Sequence, residues 1–326
     1  MLNGKSVLIT GGTGSFGQKF VEMVLDRYRP RRLIILSRDE LKQYEMQQAF
    51  NPLKHPCLRF FLGDVRDKAR LYRAFYNVDI IVHTAALKQV PAAEYNPSEV
   101  VQTNIIGTQN VIDAAIDNGV EKVVALSTDK AVHPVNLYGA TKLCMEKLIV
   151  AGNSYAGGRT KFSVVRYGNV VGSRGSVIPL FIKQRATGVL TVTDERMTRF
   201  WITLQQGVGF VLNCIEKMKG GEVFVPKIPS MRIMDLARVI GPECQIRLTG
   251  IRPGEKVHEL LISADEARHV IDVGSFYVIQ PAFPFWRAGN WSGGRPVPDG
   301  WEYSSSSNEQ WLDADHLRQL IGSFLA

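Results

Sequence analysis

A tyrosine and a lysine are spaced along the chain so that their side chains could take part in one reaction. Tyr138 and Lys142 form a Tyr-x-x-x-Lys pair just after Asn136, near which a helix is expected to begin. In a helix the two side chains would emerge on one face. An ammonium close to a phenol lowers the pKa of the phenol from its reference value of about 10. The pair therefore predicts a site that exchanges a proton with an alcohol or a sugar hydroxyl.

Three polar residues precede that pair at the expected end of a strand. Thr128, Asp129 and Lys130 follow an apolar run that ends at Leu126, with Ser127 between them. Taken alone, an Asp-Lys dipeptide is more typical of a solvated ion pair in a loop. The position at a strand end instead favours an additional acid and base. Lys130 would act as a base only where desolvation or a nearby cation favoured its neutral form.

A glycine-rich turn follows the first apolar run. Gly11, Gly14 and Gly17 give a G-x-x-G-x-x-G spacing that leads into a helix. Glycines let the backbone approach a pyrophosphate, and the free N–H groups of the helix N-terminus face the anion. A turn without a ligand is the alternative, but the position at the first strand-to-helix junction favours a dinucleotide site. The predicted contacts are Gly11, Thr13, Gly14, Ser15, Phe16 and Gly17.

The residues after the second predicted strand bear on which dinucleotide binds. An acidic residue here typically holds the ribose hydroxyls of NAD, whereas this chain has Arg38 followed by Asp39. A guanidinium can pair with a 2′-phosphate, which favours NADP, although Asp39 would repel that phosphate if it turned inward. Alternatively, Ser37 or Asp39 caps the next helix and Arg38 is solvated. The further predicted cofactor contacts are Ser37, Arg38, Asp39, Glu40, Lys42, Asp64, Val65, Ala85, Ala86, Lys88, Tyr138 and Lys142.

These residues require strands and helices that bring them to one edge of a sheet. Short β-branched runs alternate with amphipathic segments through the first half, which predicts an α/β fold with a Rossmann-type, doubly wound parallel sheet. The predicted strands are 6–10, 33–36, 58–62, 80–83, 122–126 and 162–166. The predicted helices are 16–27, 39–50, 99–118 and 137–150.

The regular alternation stops near residue 170. We expect residues 1–170 to form the NADP-binding domain and residues 171–326 to form mainly a smaller C-terminal substrate-binding lobe and arm. A strand near 222–226 could return to the first sheet. The stretch 280–307 is rich in Pro, Gly, Trp and Ser, which predicts an irregular arm with a linker at the serines 304–307.

Composition narrows the class of protein. The chain has 326 residues, of which 45% are hydrophobic and 21% charged, as in a folded globular protein. Its formal net charge of +8 is spread without a block of like charges, which suits an anionic small molecule better than nucleic acid. The four cysteines lack metal-ligand spacing, so no metal site is expected. The sequence also predicts a cytoplasmic protein without a signal peptide or membrane span.

Several runs of the chain resemble the extended short-chain dehydrogenase/reductase family. Within that family they are similar to the inverting UDP-N-acetylglucosamine 4,6-dehydratases, over nearly the whole chain. The similar runs are residues 9–17, 37–43, 126–131, 137–142, 165–176, 197–201, 252–256, 302–305 and 310–312. Larger membrane-anchored relatives typically carry methionine in place of the tyrosine, so the resemblance through Tyr138 is to the soluble inverting type.

That resemblance implies an NADP-dependent lyase and a role for each catalytic residue. Tyr138 would deprotonate the C4 hydroxyl while hydride passes to NADP⁺, with Lys142 on the nicotinamide ribose and the Thr128 hydroxyl assisting. Lys130 would then remove the C5 proton, and Asp129 would help protonate the departing C6 hydroxyl. Return of hydride to C6 and of a proton to the opposite face of C5 would give UDP-2-acetamido-2,6-dideoxy-β-L-arabino-hex-4-ulose, the first step of a pseudaminic acid-type glycan synthesis.

The resemblance also implies substrate contacts and an assembly. Backbone donors of the loop after Asn169 and the cations of Arg199 and Arg252 would hold the UDP diphosphate, and Glu255 would hold ribose hydroxyls. The implied substrate-binding residues are Lys88, Asn169, Val170, Ser176, Val177, Arg199, Arg252 and Glu255. A homo-oligomer is implied as well.

Two alternatives stay open at this point. A UDP-hexose 4-epimerase would share the fold, the cofactor, Tyr138 and Lys142, but it loses no water, and the Asp129-Lys130 pair argues against it. A catalytically silent NADP-binding regulator would have no need of an intact Tyr-x-x-x-Lys pair.

Overall fold

A large sheet runs through the computed structural model, which describes residues 1–172, 176–282, 291 and 293–325. The first half of the chain supplies its strands β1 Ser6–Thr10, β2 Arg32–Ser37, β3 Leu58–Leu62, β4 Ile80–His83, β5 Lys122–Thr128 and β6 Lys161–Tyr167. They are parallel, in the order β3-β2-β1-β4-β5-β6. All the predicted strands are confirmed, and three of them extend beyond the predicted bounds.

The second half of the chain adds strands to this sheet and builds smaller ones. Its strands are β7 Asn169–Val170, β8 Val189–Val192, β9 Thr198–Ile202, β10 Val223–Pro226, β11 Ser230–Arg232, β12 Gln245–Leu248, β13 Leu260–Ile262, β14 Val270–Asp272, β15 Phe276–Ile279, β16 Arg295–Pro296 and β17 Tyr303–Ser304. Parallel to β6 lies β10, at the place of the possible return strand. The sequence did not predict that β15, β14 and β16 extend the sheet further in antiparallel fashion.

Helices lie on both sides of the sheet. They are α1 Ser15–Arg27, α2 Glu40–Ala49, α3 Lys68–Ala74, α4 Val90–Tyr95, α5 Pro97–Val101, α6 Gly107–Asp117, α7 Leu137–Tyr155, α8 Val177–Arg185, α9 Leu204–Lys217, α10 Ile233–Ile240 and α11 Ala314–Leu325. One layer contains α1 packed on α9, and the other contains α3, α6 and α7. All the residues of β1 are buried, as expected for a strand covered on both faces.

The predicted helix 99–118 is interrupted by a π-helical turn. The chain forms α5, the wider turn Gln102–Ile106 and then α6. Asn104 in this turn accepts a hydrogen bond from the N–H of Leu87 and donates to its carbonyl. The same amide donates to Thr141 Oγ1 on α7. The interruption therefore lets one side chain fasten the segment after β4 to α7.

The serines at 304–307 are not the linker that the composition predicts. Ser304 pairs with Leu260 in the ladder between β17 and β13, and both Ser304 and Ser305 are buried. The Oγ of Ser305 hydrogen-bonds Thr198 Oγ1 at 2.7 Å. Small hydroxyl side chains fit here because each finds a partner inside the protein. Residues 283–290 and 292 of the predicted arm lie outside the described residues.

The apolar side chains form two buried clusters. The larger one fills both faces of the main sheet. A smaller cluster lies among α8, α10, α11, β8 and β9 and contains Phe181, Trp201, Leu236 and Leu317. This second core packs α8, α10 and α11 against one another in the second half of the chain.

Candidate active site

A cleft of about 700 Å³ opens at the carboxyl ends of the parallel strands. Its lining comes from the segments after β1 to β6, together with Ser176 and Leu204 from the second half of the chain. Ligands of open α/β sheets bind at this end of the strands. The cleft therefore occupies the position predicted for the dinucleotide.

The glycine turn forms the floor of the cleft. Gly11 has φ +65°, and a Cβ placed there would lie 2.9 Å from the Cα of Ala85. At Gly17 a Cβ would lie 2.2 Å from the carbonyl oxygen of Gly12, so only glycine allows this approach of helix and strand. Among the described residues no side chain caps α1. Its first N–H groups are thus available to an anion, and Thr13, Gly14, Ser15 and Phe16 also line the cleft.

The far end of the cleft carries both signs of charge. Asp39 caps α2 by accepting a hydrogen bond from the N–H of Lys42, and its carboxylate pairs with Lys42 Nζ at 2.7 Å. Those hydrogen bonds lower the pKa of Asp39. Asp64 is paired with Arg66 at 2.8 Å and lies 3.5 Å from Arg38. Each carboxylate is thus already matched by a cation.

All but one of the predicted cofactor contacts that follow β2, β3 and β4 line this cleft. Ser37, Arg38, Asp39, Lys42, Asp64, Val65, Ala85, Ala86 and Lys88 all do so. Glu40 does not, because it lies exposed in the first turn of α2.

A buried histidine supports the middle of the cleft. His83 Nδ1 hydrogen-bonds Thr10 Oγ1 at 2.8 Å, and that oxygen also accepts the N–H groups of Thr84 and Ala85. Burial, with a smaller contribution from the Lys142 ammonium, lowers the pKa of His83 to about 3. The neutral ring therefore fixes the backbone on which Ala85 meets the glycine turn.

Tyr138 and Lys142 project from the start of α7. Asn136 caps this helix by accepting the N–H of Gly139 at 2.8 Å. Both side chains line the cleft, as the spacing predicts. Lys142 Nζ donates to the carbonyl of Leu126. Burial lowers the pKa of Lys142 to about 8, against a smaller opposite effect of Glu146.

The expected lowering of the Tyr138 pKa is not found. Burial raises it to about 12, and the cation that opposes this rise is Lys130, assisted by a hydrogen bond with Thr128. Lys142 has no such effect here because its ammonium is turned towards the end of β5. The phenol is therefore protonated at neutral pH in this arrangement.

Asp129 and Lys130 form a buried charge cluster beside the phenol. Thr128 Oγ1 donates to Asp129 Oδ1 at 2.9 Å, and Lys130 Nζ lies 3.1 Å from the same oxygen. Lys130 and Thr128 line the cleft, whereas Asp129 is fully buried behind them. Burial raises the pKa of Asp129. Burial would lower the pKa of Lys130, but the two carboxylates beside it, Asp129 and Glu259, raise it overall. The neutral form that a base requires is therefore not the resting form of Lys130, contrary to the condition set from the sequence.

Sequence reasoning missed Glu259, the second carboxylate of this cluster. Its Oε1 lies 3.2 Å from Lys130 Nζ, and its Oε2 lies 3.7 Å from Lys256 Nζ. Lys256 belongs to a run singled out by the resemblance, and Glu259 follows just after that run. Nothing local distinguishes this glutamate, because its partner is distant in sequence.

The predicted substrate residues divide into two groups. Lys88, Asn169, Val170 and Ser176 line the cleft, whereas Val177 is the first residue of α8 and is not part of the lining. Burial and the nearby Lys130 ammonium lower the pKa of Lys88. Two lysines close together at one end of the cleft favour an anionic ligand.

The structure does not bring the two predicted arginines to the cleft. Arg199 is buried, and its guanidinium donates to the carbonyls of Thr198, Val257 and Lys256. Arg252 is exposed and lies 3.9 Å from Glu255. Neither arginine nor Glu255 is among the described residues that line the cleft. Of the loop that carries the adjacent motif, residues 173–175 lie outside the described residues.

Several hydroxyl groups of the cleft lack partners within the protein. Thr103 Oγ1, Ser127 Oγ and Ser176 Oγ are buried and have no hydrogen-bond partner in the described part of the chain. Buried polar groups are normally paired, so these three atoms fit a bound ligand. The lining residues that sequence reasoning did not name are Leu36, Gly63, Thr84, Leu87, Gln89, Thr103, Leu126, Ser127, Tyr167, Gly168 and Leu204.

Neither a metal cluster nor a membrane-spanning helix occurs among the described residues. No group of three or more His, Cys, Asp or Glu in that part of the chain could hold a metal ion. Likewise, none of the helices described above combines the length and the apolar character that crossing a membrane requires.

Known proteins with similar sequences and structures were found over almost the whole chain. The inverting UDP-N-acetylglucosamine 4,6-dehydratase of Campylobacter jejuni is 52% identical over 331 residues, covering 98% of each chain. The UDP-glucose 4-epimerase of Rickettsia felis is 44% identical over 288 residues, covering 84% of this chain and 82% of that one. The X-ray structure of Pen from Bacillus thuringiensis has a TM-score of 0.91 and 37% identity, covering 100% of both chains.

The family model described as polysaccharide biosynthesis protein matches residues 7–281. Apart from Ser6 at the start of β1, that range contains every described strand of the parallel sheet, the glycine turn and the Tyr-x-x-x-Lys pair. The chain belongs to the polysaccharide biosynthesis protein family.

Proposed function

We propose that this protein is an inverting UDP-N-acetylglucosamine 4,6-dehydratase. The observation that carries this function is the position of Lys130: its ammonium faces the same cleft as Tyr138 and is paired with Asp129 at 3.1 Å. Oxidation of a hydroxyl needs only the tyrosine and a hydride acceptor, whereas loss of water across C5 and C6 needs a further base and acid. The relatives that carry this name are 52% and 53% identical to the chain.

The residues of the cleft fit NADP as the cofactor. The glycine floor and the N-terminus of α1 would hold the pyrophosphate, and Arg38 and Lys42 would face a 2′-phosphate. Asp39 does not oppose this, because its carboxylate is used by the cap of α2 and by Lys42. Bound NADP⁺ supplies a hydride acceptor for C4 and, once reduced, a hydride donor for C6.

Tyr138 Oη is the atom that takes the proton of the C4 hydroxyl. Its pKa of about 12 means that the phenolate is scarce at neutral pH but strongly basic. The hydrogen bond with Thr128 and the Lys130 ammonium favour the ionised form. Lys142 would bind the ribose next to the nicotinamide, and its pKa of about 8 leaves it mostly charged at neutral pH.

Lys130 rests as an ammonium, so its Nζ first passes a proton to Asp129 Oδ1, 3.1 Å away. The neutral amine then removes the proton from C5 after C4 has become a ketone. The electron pair left on C5 expels the C6 hydroxyl, which leaves as water once it gains a proton. Asp129 supplies that proton, and its raised pKa suits it to hold one. Because Asp129 is fully buried, its proton reaches the cleft through the Thr128 hydroxyl, which lies 2.9 Å away and lines the cleft.

The substrate class and setting complete the proposal. UDP-N-acetylglucosamine would place its diphosphate near Lys88 and the loop after Asn169. The C-terminal half would act mainly as the sugar-nucleotide lobe, with Arg199 holding that lobe together rather than contacting the diphosphate. We also propose a homo-oligomeric lyase that acts in the cytoplasm, where its four free cysteines stay reduced, and that feeds a pseudaminic acid-type glycan synthesis.

Mass spectrometry of UDP-N-acetylglucosamine incubated with the protein and NADP⁺ tests this function. A dehydratase lowers the mass of the sugar nucleotide by that of one water, and proton NMR of the product reports the configuration at C5. A 4-epimerase would change the NMR spectrum without changing the mass. An unchanged mass under conditions where the sugar nucleotide binds would overturn the dehydratase assignment.

A further inference from the structure

Glu259 approaches the back of Lys130 from a part of the chain distant in sequence. It precedes β13, and only 2% of its surface is exposed. Its Oε1 lies 3.2 Å from Lys130 Nζ, on the ammonium that also contacts Asp129. Two carboxylates thus hold one lysine, and only the lysine lines the cleft.

The backbone of Glu259 is fixed on both sides by Ser305. The N–H of Glu259 donates to Ser305 Oγ at 2.9 Å, and its carbonyl accepts the N–H of Ser305 at 2.8 Å. Ser305 is in turn tied to Thr198. These bonds involve no atom of the cleft, so the glutamate is held in place before a substrate arrives.

Three cations surround the Glu259 carboxylate. They are Lys130 at 3.2 Å, Lys256 at 3.7 Å and Arg199 at 4.0 Å. Burial alone would raise the pKa of Glu259, but these cations outweigh it and keep the group ionised. The other ionisable groups near Lys130 are Asp129 beside it, Lys88 from the segment after β4 and Tyr138 from α7.

We propose that Glu259 is a positioning residue that orients Lys130 and stabilises its ammonium, which forms again when Lys130, having passed a proton to Asp129, takes the C5 proton. The inference rests on the proposed function. In that step the C5–H bond breaks, an N–H bond forms at Nζ, and the electron pair of C5 moves towards the ketone and then expels the C6 oxygen. The new positive charge appears 3.2 Å from a carboxylate that is fixed and ionised in advance.

Replacing Glu259 by glutamine tests this role, because the amide keeps the shape but loses the charge. Two effects are expected in a single turnover with NADP⁺ and UDP-N-acetylglucosamine. Reduced nicotinamide should accumulate, since C4 oxidation still proceeds while elimination slows by roughly tenfold or more. The pH dependence of elimination should also move to lower pH by about one unit, because loss of a neighbouring negative charge lowers the pKa of Lys130.

Glu222→Gln provides a matched control. Glu222 is also buried and accepts a hydrogen bond from Ser163 Oγ at 2.6 Å, but it does not line the cleft. This variant should accumulate no reduced nicotinamide and should keep the wild-type pH profile. If Glu259→Gln does not fold, Glu259→Asp decides: it keeps the charge but withdraws it from Nζ, and it should still accumulate reduced nicotinamide.

The outcomes separate this inference from the function on which it rests. A wild-type protein that does not dehydrate the sugar nucleotide refutes the function. The positioning role alone is refuted if the wild-type protein dehydrates the sugar nucleotide but the Glu259→Gln variant is merely slower in both steps. In that case the pH profile of elimination in the variant would also be unshifted. Absence of accumulation in Glu259→Asp, where glutamine does not fold, refutes it as well.

Discussion

Replacing Lys130 by alanine tests the proposed elimination and its electrostatic basis together. The wild-type ammonium lies 3.1 Å from Asp129 Oδ1 and 3.2 Å from Glu259 Oε1, and both of these carboxylates are buried. The variant leaves two buried negative charges without the cation between them. Removing one partner of a buried ion pair costs about 3–5 kcal/mol. Since Arg199 and Lys256 still face Glu259, we expect the free energy of unfolding to fall by about 3 kcal/mol.

The activity of this variant should separate into two parts. Dehydration should fall by a factor of ~100 or more, because Lys130 is the one lysine among the described lining residues that contacts Asp129. Cofactor binding should persist, since the glycine floor and Arg38 are untouched. Mass spectrometry follows the loss of water, and fluorescence titration follows NADPH. Wild-type turnover by Lys130→Ala would remove this lysine from the mechanism.

The stability loss should depend on pH in a defined direction. Without Lys130, the pKa of Asp129 rises further, because the cation that lowered it is gone. Protonation then removes one of the uncompensated charges, so the difference from wild type should narrow as the pH falls from neutral to about 5. Urea denaturation of both proteins measures this. Lys68→Ala is the control: its pair with Asp113 is exposed, and neither stability nor dehydration should change. A stability difference that stays constant over this pH range would refute the electrostatic explanation.

Three further predictions concern single side chains of the cleft. Arg38→Ala should weaken NADPH binding by about tenfold while leaving NADH binding nearly unchanged; equal losses in fluorescence titrations would argue against a 2′-phosphate contact. Tyr138→Phe should abolish reduction of nicotinamide by UDP-N-acetylglucosamine but keep binding of the sugar nucleotide by calorimetry, and residual reduction near the wild-type rate would exclude this phenol as the base. The wild-type free energy of unfolding should fall as the pH drops below 6.5, because His83 is protonated below that pH in the unfolded chain, whereas its pKa in the folded protein is about 3. His83→Gln should make that slope shallower in acid denaturation, and an unchanged slope would contradict the assigned neutral ring.

Much of the fold of the first half of the chain was predictable because its signals are local. In the turn after β1, Gly11 and Gly17 leave no room for a side chain, so the residue types at these two positions determine the geometry. The spacing of Tyr138 and Lys142 likewise fixes one face of α7. The π-helical turn was missed because apolar periodicity does not report a one-residue widening of a helix.

The errors in the second half come from contacts between distant segments. An arginine such as Arg199 is usually found at the surface, yet its guanidinium donates hydrogen bonds to the carbonyls of Val257 and Lys256 inside the protein. The composition around Ser304 and Ser305 predicts a flexible linker, but the pairing of β17 with β13 buries both serines. Glu259 carries no motif at all, since its importance arises only when folding brings it next to Lys130. No local sequence pattern predicts a contact between two segments this far apart in the chain.

The two hydrogen bonds between Ser305 and the Glu259 backbone have a consequence for how the protein could be divided. Ser305 lies outside the range of the family match, which ends at residue 281. A fragment that stops there would lose this hold on Glu259, together with β16 of the main sheet and Leu317 of the second core. The residues beyond the family match thus contribute to both apolar cores and to the placement of Glu259, so the proposed elimination depends on a tail that lies outside the shared range of the family.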